Sequence, residues 1–363
     1  MSEILVGNCL DVLPTLEEQS VHTCVTSPPY WGLRDYGTAN WVGGNTDCEH
    51  SKPRALGKST LGASKGIGSM EAAARRELSC PVPYKKICGK CGAIREDEQL
   101  GLEETPEEYV ANMVKVFGQV KRVLRDDGTL WLNLGDSYMG GGGGNYNKSG
   151  ISQAGGHHLT NVRNKRAFIE NTGLKSKDLV GIPWRVAFAL QADGWYLRQD
   201  IIWHKPNPMP ESITDRCTKA HEYIFLLSKN KKYYYDHELI KEASATEPHA
   251  PKNKKLDKSR NDHDQMDKVW GADGKRNKRS VWTVTTKPYK GAHFATFPPD
   301  LIEPCILAGC PKGGIVLDPF AGAGTTGLVA KRFGCGFVGV ELNPEYAEMA
   351  RTRIENEQDV LFN

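Results

Sequence analysis

Residues 25–31 read Val-Thr-Ser-Pro-Pro-Tyr-Trp. An apolar run, Cys24-Val25, stops at Thr26-Ser27, and two prolines and two aromatics follow. Proline has no amide hydrogen and a fixed φ, so this stretch neither extends a sheet nor opens an ordinary helical turn. It is a stiff corner with two acceptors, Ser27 Oγ and the Pro28 carbonyl, aimed in advance by Pro28 and Pro29. Such acceptors suit an amino group on a planar base. That nitrogen is a poor nucleophile because its lone pair is delocalised into the ring, and accepting its N–H bonds favours a pyramidal, reactive form. A base in a duplex must first be flipped out, and Tyr30 offers a face for it to stack on. The plainer alternative is a Pro-Pro bend with Tyr30 and Trp31 packed at its rim.

A second set of residues lies near the C-terminus. Asp318-Pro-Phe-Ala-Gly-Ala-Gly-Thr-Thr-Gly327 falls between an apolar strand and a helical pattern, and Gly322, Gly324 and Gly327 match G-x-G-x-x-G. Seventeen residues after Gly324, Glu341 ends the next strand, Gly336–Glu341. Strand, glycine turn, helix, strand and acid in that order suit an adenosine-containing ligand, with the carboxylate on the ribose hydroxyls. NAD and S-adenosylmethionine both fit that pattern. The corner separates them, since a nicotinamide enzyme has no evident use for Thr-Ser-Pro-Pro-Tyr and a methyl transfer to a base amine does.

Two further sets carry possible chemistry. Cys48 and His50 stand in Asp-Cys-Glu-His, and Cys88 and Cys91 in Cys-Gly-Lys-Cys-Gly, with Cys80 as a spare. A C-x-x-C knuckle and a second pair some forty residues away fit a tetrahedral structural zinc. Residues 241–290 hold 13 Lys plus Arg against 7 Asp plus Glu, a surplus larger than the +3 of the whole chain. That segment suits phosphate contacts by a loop that orders on DNA, with Arg276, Lys278 or Arg279 as candidates to read guanine edges. The insertion 38–100 and the glycine loop 140–150 are rival recognition elements.

The elements that position these residues read as a wound α/β sheet. Strand, turn and helical start open the chain at residues 3–16, and a second strand, 21–26, runs into the corner. Residues 38–100 lose periodicity apart from a helical stretch near 70–78, and read as an insertion. Thr105, Pro106 and Glu108 form a capping box for a helix with Tyr109, Met113, Val116, Phe117, Val120 and Leu124 on one face. Asp127-Gly128 turns that helix into the strand Thr129–Leu134. Residues 139–173 contain a glycine-rich loop. A helix with Pro183 near its start precedes strands at 196–205 and 222–229, residues 236–280 read as loop, and the tail is strand, glycine turn, helix, strand, helix. The pattern divides the chain into 1–37 with 101–235, and 281–363, as two halves of one domain. No internal repeat is present.

The bulk numbers permit this. A chain of 363 residues holds one large α/β domain with insertions, or two domains, and 39% hydrophobic with 25% charged residues is ordinary for a globular protein. Neither a membrane-spanning run nor a signal-peptide pattern occurs, so the expected compartment is the cytoplasm, where ten cysteines read as thiols or metal ligands.

Together, Thr-Ser-Pro-Pro-Tyr-Trp-Gly-Leu, Leu-Asp-Pro-Phe-Ala-Gly-Ala-Gly-Thr-Thr and Val-Gly-Val-Glu-Leu-Asn-Pro-Glu-Tyr resemble the amino-methylating DNA methyltransferases. Their order, corner first and glycine turn last, is similar to the permuted beta group. Residues 128–138, 200–212, 221–229 and 293–306 share the likeness. The resemblance implies a doubly wound, mostly parallel, seven-stranded Rossmann-like sheet with helices on both faces. It implies that Ser27, Pro28, Pro29 and Tyr30 bind and activate the base. Asp318, Phe320, Gly322, Gly324 and Thr325 would wrap the methionine part of S-adenosylmethionine, Glu341 would take the ribose with help from Asn343, and His293, Thr296, Phe297 and Pro298 would flank the cofactor. Asn8, Cys9 and Leu10 would border the adenine; where the family often has Gly-Asp this chain has Gly7-Asn8. Serine at position 27 goes more with cytosine N4 methylation and aspartate with adenine N6, so the resemblance favours cytosine N4 in DNA over adenine N6, and over RNA or protein amino-methylation. A cognate restriction nuclease is the partner such enzymes often have.

Overall fold

The computed structural model describes residues 2–32, 38–50, 87–139, 172–244, 274–287 and 296–357. His293, Cys80, the helical stretch near 70–78, the glycine loop 140–150 and most of the basic segment 241–290 lie outside them. The chain divides into two compact units. The first comprises Met1–Pro28, Val114–Gly135 and Ala187–Asn363, and the second Pro29–Met113 and Asp136–Val186.

In chain order the strands are β1 (Ser2–Val6), β2 (Val21–Thr26), β3 (Asn40–Val42), β4 (Ile94–Glu96), β5 (Leu124–Leu134), β6 (Tyr196–His204), β7 (His221–Ser228), β8 (Glu242–Ala243), β9 (Lys275–Arg276), β10 (Val281–Thr283), β11 (Ile315–Asp318) and β12 (Gly336–Glu341). The helices are α1 (Cys9–Val12), α2 (Pro106–Val123), α3 (Ile182–Ala192), α4 (Pro299–Gly309), α5 (Thr325–Arg332) and α6 (Pro344–Glu355).

The first unit is built on one sheet of eight strands in the order β1-β12-β11-β2-β5-β7-β6-β10. Only β7 runs against its neighbours; every other pairing is parallel. The expected count was seven. The eighth is β10, three residues that lie parallel to β6 at the sheet edge and fell within a stretch with too little apolar pattern to mark a strand. β2 and β11 are buried along nearly their whole length, as parallel strands covered on both faces must be. α5 packs on β11 and β12, α6 on β1 and β12, and α4 on β2 and β5. None of the helices among the described residues is long and apolar enough to cross a membrane.

The capping box forms as the sequence predicts: the Glu108 amide donates to Thr105 Oγ1 at 3.1 Å, and the Thr105 amide to Glu108 Oε2 at 3.3 Å. The six residues of the predicted apolar face are fully buried. One expectation needs correction. Asp127-Gly128 does not end an element; β5 runs through it as a bulged excursion, with Arg125, Asp126 and Asp127 exposed and the register to β2 shifting between Val21 and Thr23. Helix α4 was hidden by Pro298, Pro299 and Pro304. The first two sit at its N-terminus, where the missing amides are not needed, and only Pro304 forfeits a bond. At its C-terminal end Gly309 lies so close to the sheet that a Cβ would stand 2.7 Å from Trp131 Nε1 and 2.8 Å from the hydroxyls of Thr23 and Thr129.

Candidate active site and metal centre

β11 ends in Asp318, whose carboxylate is 2% exposed and fully engaged by the protein. Oδ1 accepts from Thr26 Oγ1 at 2.6 Å and from the Phe320 amide at 3.0 Å; Oδ2 accepts from Thr326 Oγ1 at 2.6 Å. Burial pushes its pKa up to about 6, against these three donors, which favour the ionised form. Asp318 therefore faces inward. It pins the residue before Ser27 to the start of the glycine turn. Neither threonine was singled out in the sequence, although each adjoins a motif residue.

The turn itself needs its glycines for different reasons. Gly322 has φ 51° and Gly324, the N-cap of α5, φ 72°, both left-handed. A Cβ on Gly324 would stand 2.8 Å from that of Ala350, whereas one on Gly322 would meet nothing nearer than Phe320 O at 3.9 Å. The turn is thus packed shut on the α6 side and open at Gly322. Gly327 lets α5 lie against the Phe337 ring, 2.6 Å from where its Cβ would be. Thr325 is also occupied: Arg353 Nη1 donates to its hydroxyl at 2.9 Å and to Ala323 O at 3.0 Å.

Glu341 closes the turn from β12. Its Oε2 accepts from the Gly322 amide at 2.8 Å and its Oε1 from the Asn343 amide at 2.9 Å. Burial raises its pKa, and these amides oppose the rise. A carboxylate has about four acceptor positions, so acceptor capacity remains beyond these backbone amides for a hydroxyl of a ligand. Asn343 supplies that amide, while its side chain caps α6 by accepting from the Glu345 amide at 2.8 Å. β1 runs beside β12 with Val6 opposite Glu341, and the Gly7 amide donates to Glu341 O at 2.9 Å. This brings Asn8, Cys9 and Leu10 to the same strand ends. Asn8 caps α1 through the Leu10 amide at 3.0 Å, and burial pushes the Cys9 thiol up to about 12. Thr296 and the half-buried Phe297 lead into α4, capped by Pro298. A cofactor of the adenosine type fits these residues: an open left-handed turn at a helix N-terminus, a carboxylate with acceptor positions to spare, and a second chain turn beside it.

The corner begins where β2 ends. Ser27 is half-buried and Pro28 buried. From Pro29 the chain belongs to the second unit, which braces it closely. Tyr109 Oη donates to Pro29 O at 2.9 Å, the Gly32 amide to Gly101 O at 2.7 Å, and Trp31 Nε1 to Glu103 O at 3.0 Å. A Cβ on Gly101 would stand 3.1 Å from Tyr30 O. Trp31 is 1% exposed and so is core; Tyr30 is half-buried. Tyr109 read in the sequence as helix core, which it also is; nothing there marked its hydroxyl.

In the second unit, Cys48, His50, Cys88 and Cys91 converge, with one ligand atom from each, all within 4.8 Å of one another. In the basic segment, the described cations are engaged within the chain: Arg276 and Arg279 both donate to Glu242 Oε1, at 3.0 and 2.6 Å, and Lys278 lies over Trp282.

The family model described as DNA methylase, of the N6/N4 type, matches residues 21–352. Among curated proteins, the chain is 40% identical to the Type II methyltransferase M.Cfr9I of Citrobacter freundii over 97% of its length and 87% of that protein's. It is 41% identical to M.SmaI of Serratia marcescens over 97% and 90%. Among solved structures it resembles the PvuII DNA methyltransferase, described as cytosine-N4-specific, at TM-score 0.54 and 17% identity, covering 100% of this chain and 88% of that one. It also resembles a DNA modification methylase of Thermus thermophilus in complex with S-adenosyl-L-methionine, at TM-score 0.50 and 19% identity over 100% of both chains.

Proposed function

The chain belongs to the N6/N4 DNA methylase family, and from that premise we propose that it methylates the N4 amine of a cytosine flipped out of DNA, using S-adenosylmethionine. The observation that carries the reading is the Thr26–Asp318–Thr326 link, which ties the strand end bearing Ser27 to the turn suited to the cofactor. Serine at position 27 is what favours cytosine N4; adenine N6 is the second reading, since both amines offer the same N–H donors.

Ser27 Oγ and the Pro28 carbonyl accept the two N–H bonds of the base amine, and Tyr30 holds the base face. Because the prolines and the Tyr109 bond to Pro29 O fix the backbone beforehand, little reorganisation is needed as the nitrogen develops positive charge. Glu341 and Gly322 would hold the ribose and methionine ends of the cofactor, with Asn8, Cys9 and Leu10 at its adenine and Thr296, Phe297 and Pro298 flanking it. When bound, the cofactor would supply a methyl group on a sulfonium: transfer to the amine nitrogen would break the methyl–sulfur bond, release a neutral thioether, and pass one amine proton to water. The relatives named Type II methyltransferases support a cognate restriction nuclease as partner. The order of corner and turn supports assignment to the permuted beta group.

The test is unmodified DNA with labelled S-adenosylmethionine, digested to nucleosides and identified by mass spectrometry. N4-methylcytosine is the expected product. N6-methyladenine would overturn the base assignment, and no labelled nucleoside despite bound cofactor would overturn DNA as the substrate.

A further inference from the structure

We propose that Cys48, His50, Cys88 and Cys91 bind one Zn²⁺ tetrahedrally, as a structural cross-link of the second unit. The proposal is independent of the methylation reading and uses none of the residues assigned to it.

Four ligand atoms around zinc, at about 2.3 Å for sulfur and about 2.0 Å for nitrogen, stand about 3.5–3.8 Å apart. Cys91 Sγ and His50 Nδ1 are already 3.5 Å apart, and no pair among the four exceeds 4.8 Å. Contraction of a few tenths of an ångström per ligand completes the tetrahedron. The surroundings are built for this. The Cys88 amide donates to Ala93 O at 2.8 Å and the Gly92 amide to Cys88 O at 2.9 Å, with Gly92 left-handed at φ 75°, which folds Cys88 and Cys91 onto one side of a tight knuckle. Gly44 passes so close that a Cβ there would stand 2.9 Å from Cys91 Sγ. Trp41 stacks on the His50 ring with centroids 4.7 Å apart, fixing the ring plane.

Burial does not explain why four such side chains meet. β3 and β4 are three residues each, and Val42, Ile87 and Ile94 are about half exposed. A hairpin this short is marginal without a further element to hold it. A metal supplies that element and joins His50 to Cys88 across the 37 residues between them. Three cysteines and a histidine fill all four positions, so no place remains for a water or substrate, and the site is structural. Sulfur-rich tetrahedral coordination selects zinc over magnesium or calcium.

The full-length protein, purified from zinc-containing medium without chelator, is expected to carry about one zinc per chain by elemental analysis. Replacement by Co²⁺ should give the visible bands and the thiolate charge-transfer absorption of tetrahedral cobalt. Cys91→Ser should lose the metal, and His50→Cys, which keeps four ligands, should retain it. A wild-type protein with no metal, and no cobalt spectrum on titration, would overturn the site. So would full zinc content in a soluble Cys88→Ser/Cys91→Ser variant, since the metal would then lie elsewhere. The wild-type measurements decide even where a variant does not fold, and they do not depend on any activity.

Discussion

The glycine turn of the first unit and the Cys/His knuckle of the second hold a loop still in opposite ways. The turn sits on a large core: Val316, Leu317, Val329, Phe337 and Ile354 are all buried around it, and Asp318 and Glu341 saturate its amides and hydroxyls with fixed acceptors. The knuckle has two three-residue strands with exposed outer positions and little core, so the zinc proposed there would do through one ion what the turn does through packing. The difference teaches that a loop's rigidity can come from many weak contacts beneath it or from one strong centre within it, and the two should fail differently.

The sharpest way to break the comparison is Asp318→Ala. It strands the buried Thr26 hydroxyl and the Phe320 amide, leaves the Thr326 hydroxyl only its bond to Val25 O at 3.3 Å, and should destabilise the protein by about 3 kcal/mol, read by denaturant unfolding. A change near zero would mean the turn is not held as described. The conservative Asp318→Asn gives a pH test. The folded pKa of about 6 lies above the ordinary 3.8, so the native state holds this proton more tightly than the unfolded chain. Its contribution to stability is fully present below the ordinary value and is lost as pH rises to about 6. Wild type should therefore lose stability relative to Asp318→Asn across that window and stay level above it.

Glu341→Ala should weaken S-adenosylmethionine by about 1–3 kcal/mol in calorimetry, through lost hydrogen bonds and a loosened Gly322 amide. Unchanged affinity would remove Glu341 from the cofactor. Gly324→Ala should lower stability by about 2 kcal/mol, because φ 72° and the Ala350 Cβ both oppose the new methyl; an unshifted melting temperature would show that the turn adapts. Tyr109→Phe, which removes the bond to Pro29 O, should cost about 1 kcal/mol and reduce kcat with cofactor affinity intact. If affinity fell in step with kcat, the corner would have no separate brace. Chelation should leave cofactor affinity unchanged, and a parallel loss would erase the distinction between the two regions.

Much of this was legible in the residue order. The capping box at Thr105–Glu108, the buried face of α2 and the strand-turn-helix-strand-helix of the tail follow from local periodicity and cap chemistry, which operate within a few residues. The eighth strand and helix α4 were not legible. β10 is three residues whose only reason to extend is an open edge on β6, and three prolines mask a helix that the sheet beneath it stabilises.

The same division runs through the candidate site. The sequence by itself determined which groups are present: Ser27 and the Pro28 carbonyl in a proline-fixed corner, a glycine turn with Glu341 beyond it, and three cysteines and a histidine of metal-ligand type. The direction each group faces was decided by tertiary structure. Asp318, which the resemblance puts beside the cofactor, accepts hydrogen bonds from Thr26, 292 positions away, and from Thr326. Trp31, the second aromatic of the corner, is core; the Asn343 side chain caps a helix while its amide donates to Glu341. A carboxylate, an indole or an amide turns toward whichever donors, acceptors and apolar surface the fold brings within about 3 Å, and parallel strands bring together residues that lie hundreds of positions apart.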